Sequence, residues 1–145
     1  MRKIIYTRPD GGLSIVSVPI DTDKAIAKAM VLLPTDALDA AVVDESVIPT
    51  DRTFRNALKQ NGSMIEHDMP KCREIYKHQL RQLRAPKFAA LDTAYLLADE
   101  RGDTVEKQRV AQQKQVLRDV TVDPAIDAAK TPEELKAALP DILKS

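Results

Sequence analysis

Between Cys72 and Ala98 the apolar residues recur at steps of three and four: Cys72, Ile75, Tyr76, Leu80, Leu83, then Phe88, Leu91, Ala94, Tyr95 and Ala98. A stripe of that length and period fits one face of an amphipathic helix and excludes a strand. Asp68 stands ahead of it as an N-cap, Pro70 sits near the first helical position, and Gly102 follows as a C-terminal cap. Ala85-Pro86 interrupts the stripe. A proline there removes a hydrogen bond and clashes with the preceding turn, so the spacing predicts a helix that kinks at Pro86 or ends and restarts. Asp103 or Thr104 opens a second helix running from Val105 to Val120, with Val110, Val116, Leu117 and Val120 as its apolar positions. Two long helices joined by a Gly-Asp turn make an antiparallel hairpin.

Upstream the texture is different. Ile4 and Tyr6, then Leu13, Ile15, Val16 and Val18, flank Pro9-Asp10-Gly11-Gly12 and read as a β-hairpin, because glycine supplies the positive φ that tight turns require. Thr22 or Asp23 caps a short helix, Lys24 to Leu33, which Pro34 stops. A strand is expected at Ala40 to Val43, and Asn61-Gly62 predicts a second hairpin, Thr53 to Leu58 with Ser63 to Glu66. Beyond the long helices come a helical turn at Ala125 to Ala129 and a helix capped by Thr131, with Pro132 first and Glu133 and Glu134 in its opening turn. Asp141 to Ser145 is expected to be a tail. The fold class is therefore α+β: a small lobe with two β-hairpins over residues 1–68, then a mainly α region, 69–145, built on an antiparallel helical hairpin and short C-terminal helices.

Composition narrows the function classes. Charge-free runs such as Ala29 to Thr35 are far short of the roughly 20 apolar residues of a transmembrane helix, and the opening Met1-Arg2-Lys3-Ile4-Ile5 has no apolar signal region behind it. A cytoplasmic protein with no membrane partner is the expectation. One cysteine and two histidines, with no CxxC or HExxH spacing, argue against a metal site. The four glycines form no phosphate-binding loop and no nucleophile elbow. No cofactor is expected. Glu66-His67-Asp68 is the one cluster suggestive of acid–base chemistry, yet neighbours in a strand point to opposite faces, and Asp68 serves as a cap. Cys72 belongs to the apolar stripe and reads as packing. The acids Asp92, Asp99, Glu100, Asp103 and Glu106 lack calcium-loop spacing. No catalytic residue is expected, and the chain reads as a non-enzyme.

Lysine plus arginine number 22 and aspartate plus glutamate number 22, which removes a global basic field and argues against a nucleic-acid partner. Neutrality conceals an alternation. Pro19 to Asp51 holds seven acids and two bases, Lys71 to Lys87 six bases and one acid, Phe88 to Glu106 five acids and one base, and Lys107 to Arg118 four bases. The hairpin has a basic body and an acidic tip. Its cations Lys71, Arg73, Lys77, Arg81, Arg84, Lys107, Arg109 and Lys114 are the candidate partner-binding residues, either steering an acidic partner or simply solvating the helices.

The runs Asp51-Arg52-Thr53-Phe54-Arg55-Asn56-Ala57, Asp68-Met69-Pro70-Lys71-Cys72-Arg73-Glu74-Ile75 and Gln115-Val116-Leu117-Arg118-Asp119-Val120-Thr121, with Leu91-Asp92 between them, resemble small tailed-bacteriophage and prophage proteins of the tail assembly chaperone-like group. The resemblance spans about Asp51 to Pro140. It implies a bacteriophage morphogenesis protein that acts by protein–protein contacts, as a tail-associated structural or assembly component of the virion. A tail assembly chaperone that leaves the particle, and a small phage-encoded regulator of a host enzyme, are the alternatives. The implied partners are phage structural proteins of the tail, neck or capsid and other copies of the chain itself, met in the host cytoplasm during assembly or in the virion.

Overall fold

The computed structural model describes residues 1–144, and the chain divides into two compact units, Met1–Cys72 and the part from Arg73 onward. The division falls after Cys72, inside the long helix, where the change in sequence texture placed it after Asp68. The fold is α+β, and among the described residues all strands lie in the first unit.

In the first unit, β1 (Arg2–Thr7) pairs antiparallel with β2 (Leu13–Ser17), from Lys3 opposite Ser17 to Thr7 opposite Leu13. The chain reverses through Pro9-Asp10-Gly11. Gly11 N–H donates to the Arg8 carbonyl at 2.9 Å, Arg8 N–H donates to the Gly12 carbonyl at 2.8 Å, and Gly11 has φ +83°. This is the three-residue hairpin loop in which a left-handed residue forms a bulge, and glycine is the residue that reaches that conformation without strain. The Gly12 N–H bonded to Asp10 holds the Asp10 carboxyl below its ordinary range.

The strand expected at Ala40 to Val43 is present as β3 (Leu38–Asp44), which lies on the far side of β1 to give the order β2-β1-β3. Its register shifts between Ile5 and Thr7, and Asp39 takes φ +53° at that irregularity. α1 (Asp23–Val31) is capped by Thr22, whose hydroxyl accepts from Ala25 N–H at 3.2 Å. Ile4, Val18 and Ile26 form a buried cluster with Val16, Ala25 and Met30 against it, so α1 covers the Ile4 face of the sheet. Ile5 points to the other face and is also fully buried. On that face Thr7 Oγ1 donates to Gln60 Oε1 at 3.0 Å, bringing the hairpin of β4 (Leu58–Asn61) and β5 (Met64–His67) over it.

That second hairpin departs from expectation. Residues 53–57 are not strand; Arg55–Ala57 is a single 3₁₀ turn, with Ala57 N–H bonded to the Phe54 carbonyl at 2.9 Å. Residues three apart eclipse in such a turn, which lets Phe54 and Ala57 be buried together. Strand pairing starts at Leu58, and the turn is Gly62-Ser63, with the positive φ on Gly62 alone, as in a type II′ turn.

In α2 (Met69–Glu100) the helix runs through Pro86 without ending. Pro86 is exposed, so its ring meets no packed neighbour, and the one bond forfeited is that to the Gln82 carbonyl. At the far end Gly102 (φ +67°) donates to the Asp99 carbonyl at 3.0 Å and Asp103 N–H to the Ala98 carbonyl at 2.9 Å, which is a Schellman closure. Asp103 then caps α3 (Thr104–Asp119) by accepting from Glu106 N–H at 3.0 Å.

α4 (Pro124–Ala128) and α5 (Pro132–Ala137) follow, with the Thr131 hydroxyl accepting from Glu134 N–H. The expected tail is instead a 3₁₀ turn, Asp141–Leu143, whose Leu143 is buried; Ser145 lies outside the described residues. Tyr76, Leu80, Ala98, Val110, Leu117, Val120, Ile126, Ala129 and Leu135 are buried as well. Leu83 and Val116, placed on apolar stripes from sequence, are 46% and 51% exposed.

Candidate interaction surface of the helical hairpin

The hairpin register follows from its closure at Gly102, and it brings the acidic tip and the basic second helix together as ion pairs. Lys107 Nζ lies 2.6 Å from Asp99 Oδ1, and Lys114 Nζ lies 2.5 Å from Asp92 Oδ1. Both ammonium groups also stand over the Tyr95 ring, at 5.3 and 5.8 Å from its centroid. The bond that Lys107 donates to Asp99 holds its ammonium above its ordinary pKa. Arg109 pairs within its own helix with Glu106, whose carboxyl is pushed down by that guanidinium.

Two arginines of α2 bind helix ends. Arg84 Nη1 donates to the carbonyls of Leu117 and Arg118 at 3.1 and 3.2 Å, and its guanidinium sits 5.6 Å over the Phe88 ring. Arg73 donates to the carbonyls of Ile126 at 3.3 Å and Ala129 at 2.9 Å. These are carbonyls at the last turns of α3 and α4, where unpaired acceptors and the negative end of the helix dipole favour a cation. Arg73 and Arg84 stand three helical turns apart on one face, so a single helix terminates two others.

Of the eight cations chosen from sequence, Arg73, Arg84, Lys107, Arg109 and Lys114 are thus engaged within the chain, and Lys77 approaches Glu74 at 3.9 Å. Lys71 and Arg81 are exposed. The hairpin's charge works first as internal fastening.

The opposite flank of the hairpin carries a row of exposed apolar residues, with Lys87 and Gln113 at its border. Leu83, Ala90 and Leu97 follow one another at steps of seven along α2, which places them in a row. Leu83 is 46% and Leu97 44% exposed. Beside the row, Ala90, Leu91, Gln113, Leu117 and Ile142 line a shallow groove, one wall of which comes from the 3₁₀ turn at Asp141–Leu143. Of this row only Leu83 stands on the core stripe read from sequence; the seven-residue spacing of Leu83, Ala90 and Leu97 is the signal that finds the rest.

The other candidates do not assemble. Glu66 is exposed and bonded to Asn61 Nδ2, while His67 is half-buried on the alternate face of β5. Cys72 is fully buried. Among the described residues no group of three or more His, Cys, Asp or Glu is gathered as a metal site, and no helix is long and apolar enough to cross a membrane. Compared with models of protein families, with curated proteins and with solved structures, the chain matches none.

Proposed function

We propose that the protein is a non-enzymatic component of tailed-bacteriophage morphogenesis, working by protein–protein contacts as a tail-associated structural or assembly component of the virion. The observation that carries the contact-based reading is the exposed Leu83, Ala90, Leu97 row on the flank of the helix hairpin opposite its ion pairs. Exposed apolar side chains rimmed by polar groups are the pattern of protein interfaces. The phage assignment rests on the sequence resemblance of residues 51–140 to tail assembly chaperone-like proteins, and partners in the tail, neck or capsid follow from it.

Mass spectrometry of purified particles tests the assignment. A structural component is present in fixed stoichiometry. A chaperone is absent from particles yet recovered with tail protein from assembling lysates, and recovery of one host enzyme with no virion protein supports the regulator instead.

The surface is tested by Leu97→Ser and, separately, by Arg81→Glu, both at exposed positions that leave the helix-end and ion-pair contacts in place. Leu97→Ser should weaken capture of the virion protein with little change in melting. Arg81→Glu should weaken it at low salt only. Undiminished capture by both variants rejects the hairpin as the contact surface.

A further inference from the structure

The three-stranded sheet has two outer edges, and they are built differently. β3 carries Asp39 and Asp44, is flanked by Asp36 and Glu45, and is broken by the register shift at Asp39. Charges and bulges of that kind keep edge strands from pairing with other strands. β2 reads Leu13-Ser14-Ile15-Val16-Ser17, with no charge, no proline and an unbroken register along β1.

The backbone groups that β2 leaves outward can be assigned. Arg8 N–H bonds to the Gly12 carbonyl, so Arg8 and Gly12 form a hydrogen-bonded pair, and pairs alternate along an antiparallel ladder. Ser14 and Val16 therefore direct their amides and carbonyls to β1, while Leu13, Ile15 and Ser17 direct theirs outward. Among the described residues, no backbone group outside β1 bonds to β2 within this set; the Leu13 carbonyl accepts from Arg8 Nη1 at 2.8 Å.

We propose that β2 pairs antiparallel with β2 of a second copy, about a two-fold axis at Ile15, to form a continuous six-stranded sheet. Under that axis the outward groups match: Ile15 exchanges two hydrogen bonds with Ile15 of the other copy, and the Leu13 N–H of each copy meets the Ser17 carbonyl of the other, the Leu13 carbonyl being bonded to Arg8. Like faces coincide across the axis, so each Leu13 side chain falls beside Ser17 of the other copy. There a groove of about 790 Å³ lies open on the sheet face, lined by Lys3, Ile15, Ser17, Ile48 and Pro49 among others. Strand addition at an open edge draws affinity from the main chain and selectivity from such alternate side-chain sites. The same operation at β3, about its outward-directed Val42, would set Asp39 of each copy opposite Glu45 of the other, two acids face to face, which selects β2. A two-fold contact is closed, so the assembly stops at a dimer. This inference stands on the sheet alone and is independent of the hairpin's partner and of the phage assignment.

Sedimentation of the full chain over a range of concentrations should show a reversible monomer–dimer equilibrium. Amide exchange of the unaltered chain reads the edge directly: protection of Leu13, Ile15 and Ser17 should rise with concentration while that of Val42 and Asp44 does not. Ser17→Pro, which removes an outward N–H at an exposed position, should weaken dimerisation about tenfold or more. A circular-dichroism melt checks that the variant is folded. A chain that stays monomeric at all concentrations, or concentration-dependent protection on β3 in place of β2, overturns the proposal even if Ser17→Pro fails to fold.

Discussion

The two units hold themselves together by opposite means. In the first, a central strand is buried on both faces, Ile4 under α1 and Ile5 under the second hairpin, and the charges stand at the margins. Arg2 there binds Asp21 and Asp23 at 2.6 and 2.8 Å at the start of the chain, and the acids of β3 guard an edge. In the second, the buried set is of similar size, and charges in addition cross the structure itself, joining α2 to α3 and closing helix ends. A net charge of zero thus covers two uses of the same residues, one protective and one structural. What distinguishes them is whether a charge stands at the edge of the fold or joins one helix to another.

The largest expected effect separates the cores. Leu117→Ala empties a fully buried position of the second unit and should cost about 2–5 kcal/mol. Amide exchange should then loosen in α2 and α3 first, and an equal loss in β1 would mean that the units unfold as one. Next comes the structural use of charge. Arg84→Ala removes two charge-assisted bonds to the end of α3 and should cost about 1–2 kcal/mol by thermal denaturation. Arg84→Lys should recover only part of this, because an ammonium lacks the planar fork. An Arg84→Ala variant that melts like the parent would place this charge with the marginal ones.

The smallest effect belongs to the margin of the first unit. The bond from Arg2 holds the Asp21 carboxyl below its ordinary 3.8, so the stability it contributes is present above that pH and is lost as the pH falls through the lower folded value. Asp21→Asn should flatten this part of the acid limb of a stability profile while leaving neutral stability nearly intact. An unchanged acid limb would remove Asp21 from the pair's account.

Much of this frame could be read from local chemistry. Asp10-Gly11, Thr22, Gly102, Asp103 and Thr131 each act within a few residues of themselves, and each sits where its side chain or its φ requires. The misreadings share a different cause. Phe54 looked like a strand residue because its burial depends on Ala57 being eclipsed with it in a turn, and of the kink and the break that Pro86 allowed, the break does not occur. Leu83 and Val116 belong to apolar rows wider than the helix that packs on them.

The hairpin surface was partly legible. Its cations were evident, but their partners, 8 residues apart for Lys107 and Asp99 and farther for Lys114 and Asp92, are fixed only once the register is known. The open edge of β2 is written in an uncharged five-residue run that could equally belong to an inner strand.

The closure at Gly102 also sets what lengths the hairpin can have. One residue inserted between Gly102 and Asp103 would turn α3 by about 100° about its axis, carrying Lys107 and Lys114 off Asp99 and Asp92 and the last carbonyls away from Arg84. Length can therefore be added to this arm only in matched pieces, the same number of whole turns on both helices, so that the loop tip behaves as a fixed joint and not as a site open to insertion.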